Sequence, residues 1–258
     1  VSIAAARGEI THGGMLLEYP GLEGTGLRVF STTRAFDPRP GATHEEIGER
    51  ILDLLATHEE PTPHKIISCR QVHGTRILDV DGIEGDERVL VAGEADGLFT
   101  TRVGFALVSR SADCVPMILA APDHGVLAAL HSGWRGTYNG LMDRAIDEME
   151  QRGIDPRELS LWIGPRVCGA CYEVSEELAA DFGTRHGHLG AFRGGRRIDL
   201  GELNRLLALS RGVCSHRIVM LDHCTAEDTE HFPSHRRDGT HRGLIHTVAF
   251  FDPGSPNS

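Results

Sequence analysis

Residues 111–137 read SADCVPMILAAPDHGVLAALHSGWRGT, two apolar runs around the turn tetrapeptide Pro122-Asp123-His124-Gly125. If that tetrapeptide closes a four-residue loop, Ala121 pairs with Val126. Counting outward, Leu119 faces Ala128 and Pro116 faces His131. Cys114 lies two positions beyond Pro116 and so shares its face. A thiol and an imidazole at the far ends of the stretch then become diagonal neighbours, with Cβ atoms roughly 7 Å apart or less. The argument depends on register, since a one-residue slip would turn the two to opposite faces.

After His131 the chain runs through SGWRGT into a helical pattern from about Thr137 to Gln151, with Thr137 as N-cap, Leu141, Ala145 and Met149 four apart, and Gly153 beyond the end. A glycine-containing turn entering a helix offers free N–H groups to an anion. Arg135 adds a guanidinium suited to phosphate or carboxylate.

Upstream, Gly26 to Thr33 alternates weakly as a strand. Thr43 to His58 carries Ile47, Ile51, Leu54 and Leu55 at helical spacing. Lys65 to Val80 reads as strand, turn at Gly74, strand, with Cys69, Gln71 and His73 on one face. Glu94 to Leu119 reads as an ADG turn followed by apolar strands. Further on, a strand is expected over Leu159 to Ile163 and helices over Ser175 to Phe182 and Leu200 to Arg211. Strands are also expected over His216 to Leu221 and Leu244 to Phe251. Strands and helices mix without regular alternation, so the expected class is α+β in a single domain over residues 1–258.

The chain has 258 residues, enough for one well-buried core. A formal net charge of −11 argues against nucleic acid or an anionic membrane as partner. No apolar run is long enough to span a bilayer. The opening VSIAAARGEITHGG lacks the basic and apolar regions of a signal peptide, and six cysteines in a chain this long do not form a disulfide framework. The expected location is therefore cytoplasmic. Cys168 and Cys171 form a C-x-x-C, which needs two more ligands to hold a metal, and the expectation from sequence is an incidental loop.

Five blocks occur in order: RQVHGTRI, ADGLFTT, SADCVPMIL, AALHSGWRGT and IGPRVCGACYEV. Together with the late HRRDG at His235 to Gly239 they resemble the laccase-domain, or polyphenol-oxidase-type, family, whose members act as purine nucleoside phosphorylases. The resemblance starts near Phe30 and leaves residues 1–25 as a poorly matched N-terminal extension. It implies a layered α/β/β/α sandwich with mixed sheets. It also implies one zinc held by His73, Cys114 and His131, which double as the catalytic residues, and phosphorolysis of adenosine, inosine and S-methyl-5'-thioadenosine, with adenosine deamination as a side activity. Purine nucleosides and inorganic phosphate are the expected partners; the oligomeric state is left open.

Arg34, Gln71, Asp113 and Arg135 are the candidate substrate contacts, with Gln71 or Asp113 placed to assist the departing base. The chain departs from the family pattern at STTRAFDPRPGATHEE, residues 31–46, where Arg34 matches but the Gly-Gly-Val-Ser and Asn-Leu-Gly segments are missing.

Three rivals remain at this stage, one of them a non-catalytic zinc or purine sensor, which turnover of nucleoside would separate from an enzyme. Cys114 and His131 would equally serve a cysteine hydrolase as nucleophile and base. Copper would make a polyphenol oxidase, but multicopper clusters need several His-x-His pairs, and this chain has only His186-Gly-His188.

Overall fold

The computed structural model describes residues 6–36, 41–189, 195–241 and 243–255. Residues 37–40, inside the segment where the family pattern is lost, lie outside the described residues. Among the described residues thirteen strands form two mixed sheets. The strands are β1 (Glu9–Thr11), β2 (Leu16–Glu18), β3 (Leu27–Thr32), β4 (Lys65–Arg70), β5 (Ile77–Asp79), β6 (Val89–Glu94), β7 (Gly97–Thr100), β8 (Phe105–Ser111), β9 (Val115–Ala121), β10 (Val126–Ser132), β11 (Ser160–Ile163), β12 (Ile218–Met220) and β13 (Ile245–Phe251). The first sheet runs β1-β2-β3-β13-β8-β4-β6 and the second β12-β11-β9-β10-β7-β5. The helices are α1 (His44–Thr57), α2 (Trp134–Tyr138), α3 (Leu141–Gln151), α4 (Glu176–His186), α5 (Leu200–Ser210) and α6 (His235–Asp238).

Each apolar layer follows from strand alternation. In β9, Val115, Met117, Leu119 and Ala121 pack toward Leu141, Ile146, Leu203 and their neighbours on α3 and α5. The intervening Ile118 and Ala120 meet Ile67, Leu107 and Ala249 of the other sheet. Every β9 residue is buried, which is why this run is apolar throughout and does not alternate. On the far side Ile47, Ile51, Leu52 and Leu55 of α1 cover Ile66, Ala106, Val108 and Phe250. The order of layers is helix, sheet, sheet, helices: the α/β/β/α sandwich expected of the family.

The β9–β10 register is the one the turn implied: Ala121 opposes Val126, Leu119 opposes Ala128, and Pro116 opposes His131. Lys65 to Val80 is strand, turn, strand, as expected, but the two strands do not pair with each other. β4 belongs to the first sheet and β5 to the second, so the loop between them crosses from one sheet to the other. The strand ends at Arg70 because the Gln71 side chain turns aside to bind the Arg110 backbone and the Asp96 carboxylate takes the N–H groups of residues 72–74. Thr137 is not the expected N-cap. It lies inside the short α2 with its hydroxyl buried, and α3 begins only after Gly140, whose φ of +84° breaks the helical path.

α1 starts with a capping box. The Thr43 side chain accepts from the Glu46 N–H at 3.1 Å, and the Glu46 carboxylate accepts from the Thr43 N–H at 2.7 Å. Thr43→Ala is expected to lower stability by about 1 kcal/mol. Urea unfolding should show a lower midpoint at unchanged slope; an unchanged midpoint would mean that this cap contributes nothing.

Candidate functional site

Three chain segments meet where the two sheets face each other. β10 carries His131 near its end. The bend between β8 and β9 carries Cys114. The crossing loop after β4 carries His73, whose φ of +59° points the ring back toward the other two. Potential ligand atoms of these three lie within 4.8 Å of one another. Cys114 Sγ is 3.9 Å from His73 Nε2, and the two imidazole rings are edge-on at 4.9 Å between centroids. Gly133 leaves room here: a Cβ there would come to about 3.0 Å from both Cys114 Sγ and His73 Cδ2, so the two side chains would have to give way.

The cluster is organised by a residue the sequence reading quoted within ADGLFTT but gave no role. Asp96 is buried at 1 % exposure. Its carboxylate accepts from His131 Nδ1 at 2.9 Å and from the N–H groups of Val72, His73 and Gly74 at 3.2, 2.9 and 2.6 Å. A carboxylate buried at this depth needs such partners to stay charged. Burial opposes its ionisation, but His131 and the loop N–H groups win and hold its pKa below the usual value. With Nδ1 occupied, His131 is left with Nε2 as its free nitrogen.

The same neighbours set the ionisation of the pair beyond. Burial pushes the Cys114 thiol up, yet His131 and His73 outweigh it and bring it down to about 6. Burial pushes His131 down, yet Asp96 and Cys114 outweigh that and raise it to about 9. Each of the two groups thus favours the charged form of the other. One thiolate with two imidazoles is a donor set suited to borderline-soft divalent ions.

The cluster opens onto a cleft of about 640 Å³, within the range that takes a nucleoside-sized ligand. His73, Cys114, Arg135, Tyr172, His235 and Arg236 line it. Arg135 is exposed and stacks on Trp134 at 4.3 Å, and Arg236 stacks on Tyr172 at 4.9 Å. Burial, then the charges of Cys114 and Asp113, push the Tyr172 phenol up, so it stays a neutral donor. Two arginines therefore face the cleft of an otherwise acidic protein.

The other expected contacts are placed differently. Gln71 is spent on both backbone groups of Arg110, at 2.6 and 2.8 Å. Asp113 stands in the cleft wall, but its two oxygens accept from the Thr225 hydroxyl at 2.6 Å and the Arg236 N–H at 2.7 Å. Arg34 is not among the residues lining the cleft and binds the Phe232 carbonyl and Asp238. The hydroxyls of Ser132 and Thr137 bond each other, and Asn204 donates to Thr137. The turn thus offers an anion Arg135, not its hydroxyls. Tyr172 and His235 were missed because nothing in a single sequence says that residues 172 and 235 share a wall with residue 73.

The chain matches the family described as "Multi-copper polyphenol oxidoreductase laccase" over residues 42–252. It belongs to that family. It is 36% identical over 211 residues to purine nucleoside phosphorylase SCO2081 of Streptomyces coelicolor, covering 79% of this chain and 80% of the relative. It is 29% identical over 243 residues to adenosine deaminase RL5 of an unknown prokaryotic organism, covering 86% and 93%. In fold it resembles the crystal structure of YlmD from Geobacillus stearothermophilus, with a TM-score of 0.77 at 23% identity over 93% of this chain and 97% of that one.

Asp96→Asn keeps the size of the side chain but removes the charge that orients His131. Metal affinity should fall about 10- to 100-fold, read by competition with a chromogenic chelator. An unchanged affinity would leave Asp96 as a purely structural carboxylate.

Proposed function

We propose that this enzyme is a zinc-dependent purine nucleoside phosphorylase, cytoplasmic, acting on adenosine, inosine and S-methyl-5'-thioadenosine, with adenosine deamination as a side activity. The observation that carries the reading is the His73–Cys114–His131 cluster opening onto a cleft walled by Arg135 and Arg236. The names of the relatives, phosphorylase and deaminase, support the reaction class.

Three protein donors leave a fourth position for an outside ligand, as in catalytic zinc sites. Zn–S of about 2.3 Å and Zn–N of about 2.0 Å would put a tetrahedral S···N pair roughly 3.5 Å apart, near the 3.9 Å between Cys114 and His73. Zinc held there would supply Lewis-acid polarisation of an oxygen. The chain's own residues do the rest. Arg135 and Arg236 hold the phosphate dianion. Tyr172 supplies an aromatic face for the purine and, as a neutral phenol, a hydrogen bond to its departing nitrogen. A phosphate oxygen forms a bond to the anomeric carbon as the glycosidic bond breaks. The bonding pair leaves with the base, which takes up the proton that the attacking hydrogen phosphate dianion gives up, and the products are free purine and ribose 1-phosphate. Asp113 holds the α6 N–H in place and is a positioning residue in this scheme.

The lowered Cys114 thiol and raised His131 also suit a cysteine hydrolase. Alkylation separates the readings. As a zinc ligand, Cys114 should resist iodoacetamide in zinc-replete protein, become labelled after chelation, and activity should return with zinc if the thiol was spared. Rapid labelling of the zinc-replete enzyme, with activity surviving full chelation, would favour the hydrolase.

Inosine should yield hypoxanthine and ribose 1-phosphate only when phosphate is present, followed by chromatography; equal base release without phosphate would sink the phosphorylase reading. Arg135→Ala should raise the KM for phosphate about tenfold or more and change the KM for nucleoside far less. Equal shifts in both would move Arg135 out of the phosphate site.

A further inference from the structure

The C-x-x-C at Cys168 and Cys171 lacked two ligands in the sequence, and the tertiary structure brings them. Cys224 and Glu227, more than fifty residues downstream, close over the pair. One ligand atom from each of the four lies within 4.8 Å of every other. Cys171 Sγ is 3.3 Å from Glu227 Oε1, and the Cys168 N–H points at Cys224 Sγ at 3.3 Å. All three cysteines are free thiols.

The local backbone has the same form on both sides. The Cys171 and Tyr172 N–H groups turn back to the Cys168 carbonyl, both at 3.0 Å, and those of Glu227 and Asp228 turn back to the Cys224 carbonyl at 3.2 and 2.9 Å. Two tight turns, each offering ligands three residues apart, face each other. They are locked in register by the bridge between Arg166 and Cys224, with the Thr225 N–H bonded to the Arg166 carbonyl. Arg237 grips the Thr225 and Ala226 carbonyls from outside. The four donors thus converge on fixed backbone.

We propose that Cys168, Cys171, Cys224 and Glu227 form a second metal site, for a zinc-class divalent ion, closed by four protein ligands and structural in role. Three thiolates and a carboxylate suit a borderline-soft ion, and a complete set of four leaves no position for substrate. A disulfide between two of the thiols would leave the other thiol and Glu227 without a reason to converge. The site ties residues 168–172 to residues 224–228. The first segment carries Tyr172. The second carries Thr225, whose hydroxyl holds Asp113 in the cleft wall. The second ion therefore holds the part of the cleft wall that carries Tyr172 and Asp113. This site stands whether or not the chain cleaves nucleosides.

The test is metal counting by site. Reduced full-length protein, zinc-loaded and desalted, should carry two zinc ions per chain. His73→Ala with His131→Ala should still carry one. Loaded with cobalt(II), that double variant should show an intense thiolate-to-cobalt charge-transfer band in the near ultraviolet and tetrahedral d–d bands in the visible. Cys168→Ser with Cys224→Ser should remove the band. Should those two substitutions prevent folding, Glu227→Gln, at an exposed position, gives the second reading: a shifted d–d envelope and zinc affinity at least tenfold weaker. A histidine double variant that is folded but metal-free overturns the proposal. So does intact protein, isolated without reductant, whose mass shows a disulfide among Cys168, Cys171 and Cys224.

Discussion

The contact on which the rest depends is the buried hydrogen bond from His131 Nδ1 to Asp96 Oδ1. Asp96 stands at the start of β7, His131 near the end of β10, and the His131 N–H also bonds the Asp96 carbonyl at 2.7 Å. Three further N–H groups, from Val72, His73 and Gly74, bind the same carboxylate. Without them an ionised carboxylate at this depth would be costly. With them it does three things: it ends the strand pattern after β4, carries the chain across to the second sheet, and seats His73 beside Cys114. A single buried charge thereby couples the crossover of the fold to the geometry of the site.

Around that anchor the sandwich divides its labour. The hairpin of β9 and β10 is buried on both faces and supplies a rigid base for His131. The chemistry sits on its rim instead, in the bend at Asp113 and Cys114 and in the short α2 and α6. Asp113 takes a φ of +94°, a conformation that costs a non-glycine residue about 1–3 kcal/mol. Its carboxylate repays this by binding Thr225 and the α6 backbone. The strained residue thus connects the hairpin to the opposite wall of the cleft, and the cysteine cluster behind Tyr172 fastens that wall a second time. Two donor clusters then flank one cleft: a three-ligand set open to it, and a four-ligand set closed behind it.

Much of this was legible in the chain itself. The PDHG turn specifies the β9–β10 register through its loop length, since the two apolar runs are buried on both faces and set no parity of their own, and that register carries His131 to the end occupied by Cys114. The capping residues and helical spacing of α1 and α5 are local signals, and both helices form where those signals lie. Five ordered motifs were enough to place the family. What the sequence could not supply were contacts between segments remote in the chain. The two strands read over residues 65–80 sit in different sheets, and the turn between them is a crossover whose backbone is claimed by a carboxylate some twenty residues downstream. Gln71 and Asp113 carry polar groups suited to substrate, but partners at Arg110, Thr225 and Arg236 use them. Cys168 and Cys171 looked incidental because their companions lie more than fifty residues away. Local pattern thus determined the elements and the register of the central hairpin. Only the tertiary structure decided which polar groups are satisfied within the fold and which remain to face the cleft.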